Sequence, residues 1–217
     1  MDLLPIVLAS GSPRRRELLA RLGLPFAVEV SDEPEIVDPT LPPERLVLAL
    51  AERKARAVAA RHAAGLVVGG DTVVVLAGEV LGKPRDDADA AAMLGRLAGR
   101  SHEVWTGLAV VDAESGRVER HAVPSTLRFR PLSPAEIAAY VATGEGRDKA
   151  GAYAIQGAGG GLVETLFGCW TNVVGLPLCE TAALLRRFGV AIPAAEPVCT
   201  RPDGSPCPRL EISDRSR

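Results

Sequence analysis

Apolar residues along the chain fall alternately into short runs and helical stripes, and this alternation sketches an α/β protein. Leu3 to Ala9, rich in Val, Ile and Leu, predicts a buried strand ending in Ser10-Gly11-Ser12-Pro13. Ser12 is a good N-cap and Pro13 suits the first helical position, so a helix is predicted from Pro13 to about Leu22, stopped by Gly23. Val28 to Val30 reads as a second strand, and Ser31-Asp32-Glu33-Pro34-Glu35 as an acidic turn. After the Pro-rich bend a long helix is predicted from Glu44 to His62. Leu46, Leu50 and Lys54 lie at i, i+4 and i+8, so Lys54 continues the apolar stripe and points toward the body of the protein.

Leu66 to Leu76 reads as two strand pieces around Gly69-Gly70-Asp71, with Ala77-Gly78 turning into Glu79 to Leu81. Asp86 or Asp87 caps a helix reaching Leu97, with Gly99 as its stop. Val104 to Val111 and Val118 to Phe129 predict longer strands joined by a polar turn. Ser133-x-x-Glu136 is a capping box opening a helix that ends at Gly144. The last helix spans Pro177 to Phe188. Hairpins in the middle of the chain argue for a mixed sheet rather than a parallel one. The reading is one domain over 1–190, with a loosely held tail over 191–217 where Pro, Ser, Arg and Asp dominate.

Composition narrows the partners. Net charge is −2 with a pI near 6.0, so no global basic field draws the chain to nucleic acid or anionic membrane, and any anionic ligand must be met locally. Aromatic residues make up 4%, too few for a nucleic-acid stacking platform. The N-terminus lacks a basic region and its apolar run is too short for a signal or a membrane span, so a cytoplasmic protein is expected. Cys169, Cys179, Cys199 and Cys207 form no CxxC pair and read as ordinary thiols, although a loop closed by Cys199 and Cys207 is geometrically open. Of 25 basic side chains 22 are Arg, which makes Lys54, Lys83 and Lys149 conspicuous. Lys is a compact point charge and Arg a planar fork, so a site shaped for one rejects the other.

Three constellations could carry chemistry. Ser10-Gly11-Ser12-Pro13-Arg14-Arg15-Arg16 offers a helix N-terminus with guanidinium groups, where a polyphosphate would dock; a capped helix with solvent-facing arginines explains the same letters. Asp71 interrupts an apolar run and needs a partner, a metal or a task, unless it is a turn aspartate after Gly69-Gly70. The turn at Asp32, Glu33 and Glu35 could add a second hard oxygen ligand for Mg²⁺. The three lysines fit a site that neutralises several phosphate charges, although Lys54 could instead snorkel to solvent. His62, His102 and His121 fall at no metal spacing. The chemistry implied is metal-assisted attack of water on phosphorus.

Together, Leu8-Ala9-Ser10-Gly11-Ser12-Pro13-Arg14-Arg15, Lys54-Ala55, Gly70-Asp71-Thr72-Val73-Val74, Leu81-Gly82-Lys83-Pro84, Asp148 to Tyr153, Ile155-Gln156-Gly157 and Asn172 to Leu178 resemble the Maf family of nucleoside triphosphate pyrophosphatases. The resemblance runs from about residue 5 to 189. It implies an elongated α/β fold, a mixed sheet flanked by helices with two lobes and a central cleft, similar to the inosine triphosphate pyrophosphatases, and a homodimer. It also implies cleavage of a nucleoside triphosphate to the monophosphate and pyrophosphate with a divalent metal, Mg²⁺ or Mn²⁺. Carried over by motif, Asp71 is the expected general base, with Glu35, Lys54 and Lys83 completing the catalytic set and Glu35 and Asp71 holding metal. Ser10, Ser12, Arg14, Arg15, Thr72, Gln156 and Lys149 are the expected substrate-binding residues, with Arg14, Thr72 and Gln156 setting substrate choice. Ser-Pro-Arg-Arg, Asp-Thr and Ile-Gln-Gly resemble the subgroup acting on dTTP, UTP and modified pyrimidine nucleotides. The alternatives are the sibling 7-methyl-GTP subgroup and a non-hydrolytic nucleotide sensor in cell division. Pro34 breaks the family's acidic cluster before Glu35, and the tail after Phe188 is longer than typical.

Overall fold

The computed structural model describes residues 4–33, 38, 40–193 and 199–201. In chain order its elements are β1 (Ile6–Leu8), α1 (Pro13–Ala20), β2 (Phe26–Val28), α2 (Pro43–Ala59), β3 (Leu66–Leu76), β4 (Glu79–Leu81), α3 (Asp87–Leu97), β5 (Ser101–Asp112), β6 (Val118–Phe129), α4 (Pro134–Ala142), β7 (Val163–Phe167), α5 (Trp170–Val174) and α6 (Leu178–Arg187). Short 3₁₀ turns occupy Ala150–Ala152 and Gly157–Leu162. The fold is α/β, with seven strands in one mixed sheet ordered β2-β1-β3-β5-β6-β7, and β4 pairs with β3. β1 runs parallel to β2 and β3, and all other pairings are antiparallel.

β3 is one strand, not two pieces around Gly69-Gly70-Asp71. Its ladder to β5 runs without a break from Leu66 opposite Asp112 to Val75 opposite Glu103, and those hydrogen bonds carry the backbone straight through the glycines. On its other edge the pairing is interrupted. β1 covers β3 only from Leu66 to Val68, and β4 covers it only from Val74 to Leu76. Between them, Gly69 to Val73 face a notch.

α2 covers one face of the sheet, and the larger core on the other face is built with α1, α3, α4, α5 and α6. The α2 stripe is as the spacing predicts: Leu46, Leu50, Lys54 and Val58 are all buried. Its backbone comes unusually close to the sheet at two glycines. A Cβ on Gly69 would lie 2.4 Å from Ala51 O, and one on Gly107 2.2 Å from Val47 O, so only hydrogen fits at either place. This close seating brings Lys54 down onto β3.

Ser12 caps α1, with Pro13 in the first turn; Asp86 caps α3; and Ser133 and Glu136 form the expected capping box of α4. β2 lies at Phe26–Val28, slightly before the predicted Val28 to Val30, because parallel pairing with β1 fixes its register. β7 and α5 occupy a stretch with no clear periodicity. Of the segment after residue 190, Cys199 to Arg201 pack back onto the domain. Cys199 is 1% exposed with its Sγ 3.1 Å from Thr171 Oγ1, Arg21 donates to Thr200 Oγ1 at 3.1 Å, and Arg201 donates to Leu166 O at 3.4 Å. Cys207 lies outside the described residues. Among the described residues, no helix is long and apolar enough to cross a membrane.

Candidate active site

The notch beside β3 opens at the carboxyl end of β1, the place where open α/β sheets commonly receive ligands. A cavity of about 530 Å³ fills it. Its lining includes Ser10, Ser12, Arg14, Arg15, Lys54, Asp71, Thr72, Lys83 and Lys149, so most of the residues singled out in the sequence converge there from five separate segments. Glu35 lies outside the described residues. Gln156 does not line the cavity; it is exposed, one residue beyond Ile155, which does.

Successive residues of a strand point to opposite faces, so Asp71 and Thr72 present themselves on either side of β3. Asp71 faces α2. Lys54 Nζ donates to Asp71 Oδ1 at 2.5 Å, and the two residues are only 8% and 7% exposed. A charge-assisted bond of this length, between groups withdrawn from water, fixes both side chains. Lys54 therefore does not snorkel, and Asp71 is a strand residue rather than a turn aspartate. On the other face Thr72 meets α1, where Arg15 Nη2 donates to Thr72 Oγ1 at 3.1 Å. Arg15 also donates from Nε to Gly175 O at 2.8 Å and from Nη1 to Ser10 Oγ at 3.3 Å. Its fork thus ties the β1–α1 loop, β3 and the end of α5 together, and Arg15 shapes the cleft as a clamp. Because no strand among the described residues covers this edge, a ligand lying across the notch can touch the Asp71 side and the Thr72 side at once.

Charges gather around the opening. Arg14 is half-buried; burial lowers its pKa, with Asp148 and then Tyr140 opposing the shift. Lys149 hydrogen-bonds Asp148, and that bond holds the Asp148 carboxyl below its usual range. Glu33 also lines the cavity, 3.7 Å from Arg53. Lys83 is exposed at the exit of β4, and Gly82 just before it accepts the Gly151 N–H at 3.0 Å, which joins its segment to that of Lys149. Tyr153 closes the floor, its hydroxyl 2.8 Å from His102 Nε2, and burial pushes His102 down to about 4, so this histidine is neutral and structural. Asp148 was not separable in sequence from an ordinary surface acid, whereas Glu33 belongs to the acidic turn already singled out.

A divalent metal was expected. Among the described residues, no group of three or more His, Cys, Asp and Glu is arranged to hold one. Among the described residues, the carboxylates at the cleft are Asp71, Glu33 and Asp148. Mg²⁺ commonly takes one or two carboxylates and completes its shell with water and substrate phosphates, and this sparse, hard-oxygen donor set fits an ion that arrives with a phosphate ligand.

The family model described as Maf-like protein matches residues 5–188. The chain belongs to the Maf family. Maf relatives named dTTP/UTP pyrophosphatase include those of Moorella thermoacetica, 55% identical over 187 residues covering 86% of this chain and 96% of that protein, and Geobacter sulfurreducens, 54% identical over 184 residues covering 85% and 96%. A third, from Desulforamulus reducens, is 51% identical over 189 residues, 87% of this chain and 98% of that protein. The Maf match contains every residue placed at the cavity and stops before the segment around Cys199.

Proposed function

We propose that the chain hydrolyses dTTP and UTP to the nucleoside monophosphate and pyrophosphate. The observation that carries this reading is the buried Lys54–Asp71 pair lining a cavity of about 530 Å³, in a chain whose Maf relatives bear that activity in their names. In the proposed step the oxygen of water attacks the α-phosphorus. The bond to the β-phosphate oxygen breaks, pyrophosphate leaves with that electron pair, and the proton of the water passes to the Asp71 carboxylate as general base. Lys54 holds that carboxylate toward the cleft. Lys83, Lys149 and Arg14, with Ser10, Ser12 and the N–H groups of the β1–α1 loop, balance the charge of the triphosphate, which supplies most of the acceleration expected for phosphoryl chemistry. A divalent ion, Mg²⁺ or Mn²⁺, would be held by Asp71 and Glu35 and would neutralise charge on the phosphate oxygens.

On the other face of β3, Arg14, Thr72 and Gln156 set substrate choice in this proposal. Gln156, exposed and next to the cavity-lining Ile155, can donate and accept, which suits the paired carbonyl and N–H of a pyrimidine edge. A homodimer, a cytoplasmic location and a catalytic unit spanning 1–190 belong to the same proposal and rest on the family resemblance.

The test is product analysis of the purified protein with Mg²⁺ and dTTP, UTP, CTP, GTP and 7-methyl-GTP, beside Asp71→Asn. Pyrophosphate release led by dTTP and UTP, abolished by Asp71→Asn while nucleotide binding survives, is the expected result. Bound nucleotide without pyrophosphate would favour a sensor, and a lead for 7-methyl-GTP would move the chain to the sibling subgroup.

A further inference from the structure

Away from the cleft, the segment carrying Cys199 brings a second sulfur against the domain. Cys169 caps α5 through its side chain, its Sγ accepting the Asn172 N–H at 3.3 Å. Cys199 Sγ lies 3.5 Å from Cys169 Sγ; both residues are buried, and both are thiols. Thr171 Oγ1 completes a triangle, 3.2 Å from Cys169 Sγ and 3.1 Å from Cys199 Sγ, and accepts the Leu178 N–H at 3.1 Å. These contacts hold the two sulfurs side by side. A disulfide bond of about 2.05 Å requires each sulfur to move by less than about 1 Å. Spacing in the sequence left Cys207 open as a partner for Cys199, whereas a neighbour in the described structure is Cys169, 30 positions earlier.

The two sides of the pair are held unequally. Cys169 is built into the body of the domain: its N–H donates to Ser125 Oγ at 3.0 Å, and Ser125 Oγ donates to its carbonyl at 3.2 Å. Cys199 begins the short stretch 199–201, which Arg21 ties at Thr200 and Arg201 ties at Leu166 O. Contacts of this kind open far more readily than a strand ladder, so the stretch can lift and show the Cys199 thiol to solvent while Cys169 stays in place. Cys199 also lies beyond the Maf match, which ends at residue 188.

We propose that Cys169 and Cys199 form a redox modification site: hydrogen peroxide converts them to a reversible disulfide that staples the segment after α6 to the N-terminus of α5. In the first step the Cys199 sulfur attacks one peroxide oxygen, the O–O bond breaks, and the thiol becomes a sulfenic acid with release of water. When the stretch seats again, the Cys169 sulfur attacks the Cys199 sulfur, the S–O bond breaks, and a second water leaves with the Cys169 proton. The two thiols lose two electrons and two protons, and the peroxide is reduced to two waters; a dithiol reductant restores both thiols by exchange. The cross-link closes a loop that contains α5 and α6, and it anchors the helix whose Val173 and Val174 line the cavity.

The experiment treats the full-length protein, a Cys179→Ser/Cys207→Ser double variant and Cys199→Ser with stoichiometric hydrogen peroxide. Remaining thiols are blocked with iodoacetamide in denaturant, cross-linked peptides are read by tandem mass spectrometry, and the thermal midpoint is measured before and after oxidation. The expected result is a Cys169–Cys199 link within one chain, in both the wild type and the double variant, removed by dithiothreitol. Restricting the unfolded chain should raise the midpoint of the oxidised protein by about 5–15 °C. Cys199→Ser should show neither the link nor the rise.

A disulfide joining Cys199 to Cys179 or Cys207 in the full-length protein, a link between two chains, sulfinic acid or intact thiols in place of the disulfide, or an oxidised protein no more stable than the reduced one would each overturn the site. A rise that persists in Cys199→Ser would do the same. Mapping in the wild type needs no substitution, so it decides the matter even where a variant does not fold. Neither cysteine lines the cavity and no nucleotide enters the readout, so the outcome is separate from that of the proposed function.

Discussion

At the scale of single residues, a buried ammonium beside a buried carboxylate, Lys54 and Asp71, holds the proposed site together. Lys54→Met keeps the length and packing of the side chain but leaves the Asp71 carboxylate without that ammonium. Breaking a buried pair from one side costs about 3–5 kcal/mol, and the expected result is a lower denaturation midpoint with pyrophosphate release reduced by more than about a hundredfold. Urea titration and steady-state assays check both; a variant as stable and active as wild type would show that the pair is incidental. This residue was legible in the sequence because a lysine on an apolar helical stripe is anomalous, and more so in a chain that writes nearly every other basic position as Arg. The clamp formed by Arg15 was not legible, because an arginine near a helix start reads as solvent-facing and its partners Thr72 and Gly175 lie 57 and 160 positions away.

At the scale of elements, the seating of α2 on β3 and β5 matters most, and Gly69 on β3 with Gly107 on β5 sets its distance from the sheet. Gly107→Ala would place a methyl group 2.2 Å from Val47 O, so the helix backbone itself must lift. The expected cost is about 2–3 kcal/mol or more, with a further loss of activity because Lys54 rides on the same helix. Gly95→Ala is the matched control. It sits within α3 with open space around the new methyl, and should stabilise by up to about 1 kcal/mol. Equal effects of the two substitutions, read from denaturation curves, would refute the close-approach argument.

Most helices and strands followed from periodicity and caps, as Ser12, Asp86 and the Ser133–Glu136 box illustrate. The break predicted at Gly69-Gly70 did not occur, because local propensity was overridden by an uninterrupted ladder to β5. β7 and α5 escaped notice because they are short and lack a regular apolar repeat. β7 is set by its antiparallel pairing with β6, and α5 by tertiary bonds such as Arg15 to Gly175 O and Asn172 to Val104 O.

At the scale of the whole molecule, the site is a consequence of topology. Among the described residues, two short strands cover opposite ends of one long strand and leave its middle edge open, with an acid and lysine on one face and a threonine held by arginine on the other. The motifs marked which residues matter, but the notch that joins them depends on strand lengths that no local pattern fixes. The arrangement also accounts for a chain with net charge near zero that can take a highly charged ligand, since Arg14, Lys54, Lys83 and Lys149 collect at one opening.

The most direct measurement of the central claim is hydrolysis of UTP in ¹⁸O-labelled water with mass analysis of both products. Attack at the α-phosphorus predicts one labelled oxygen in the nucleoside monophosphate and none in the pyrophosphate. Label in pyrophosphate, or labelled orthophosphate with nucleoside diphosphate as the other product, would contradict it.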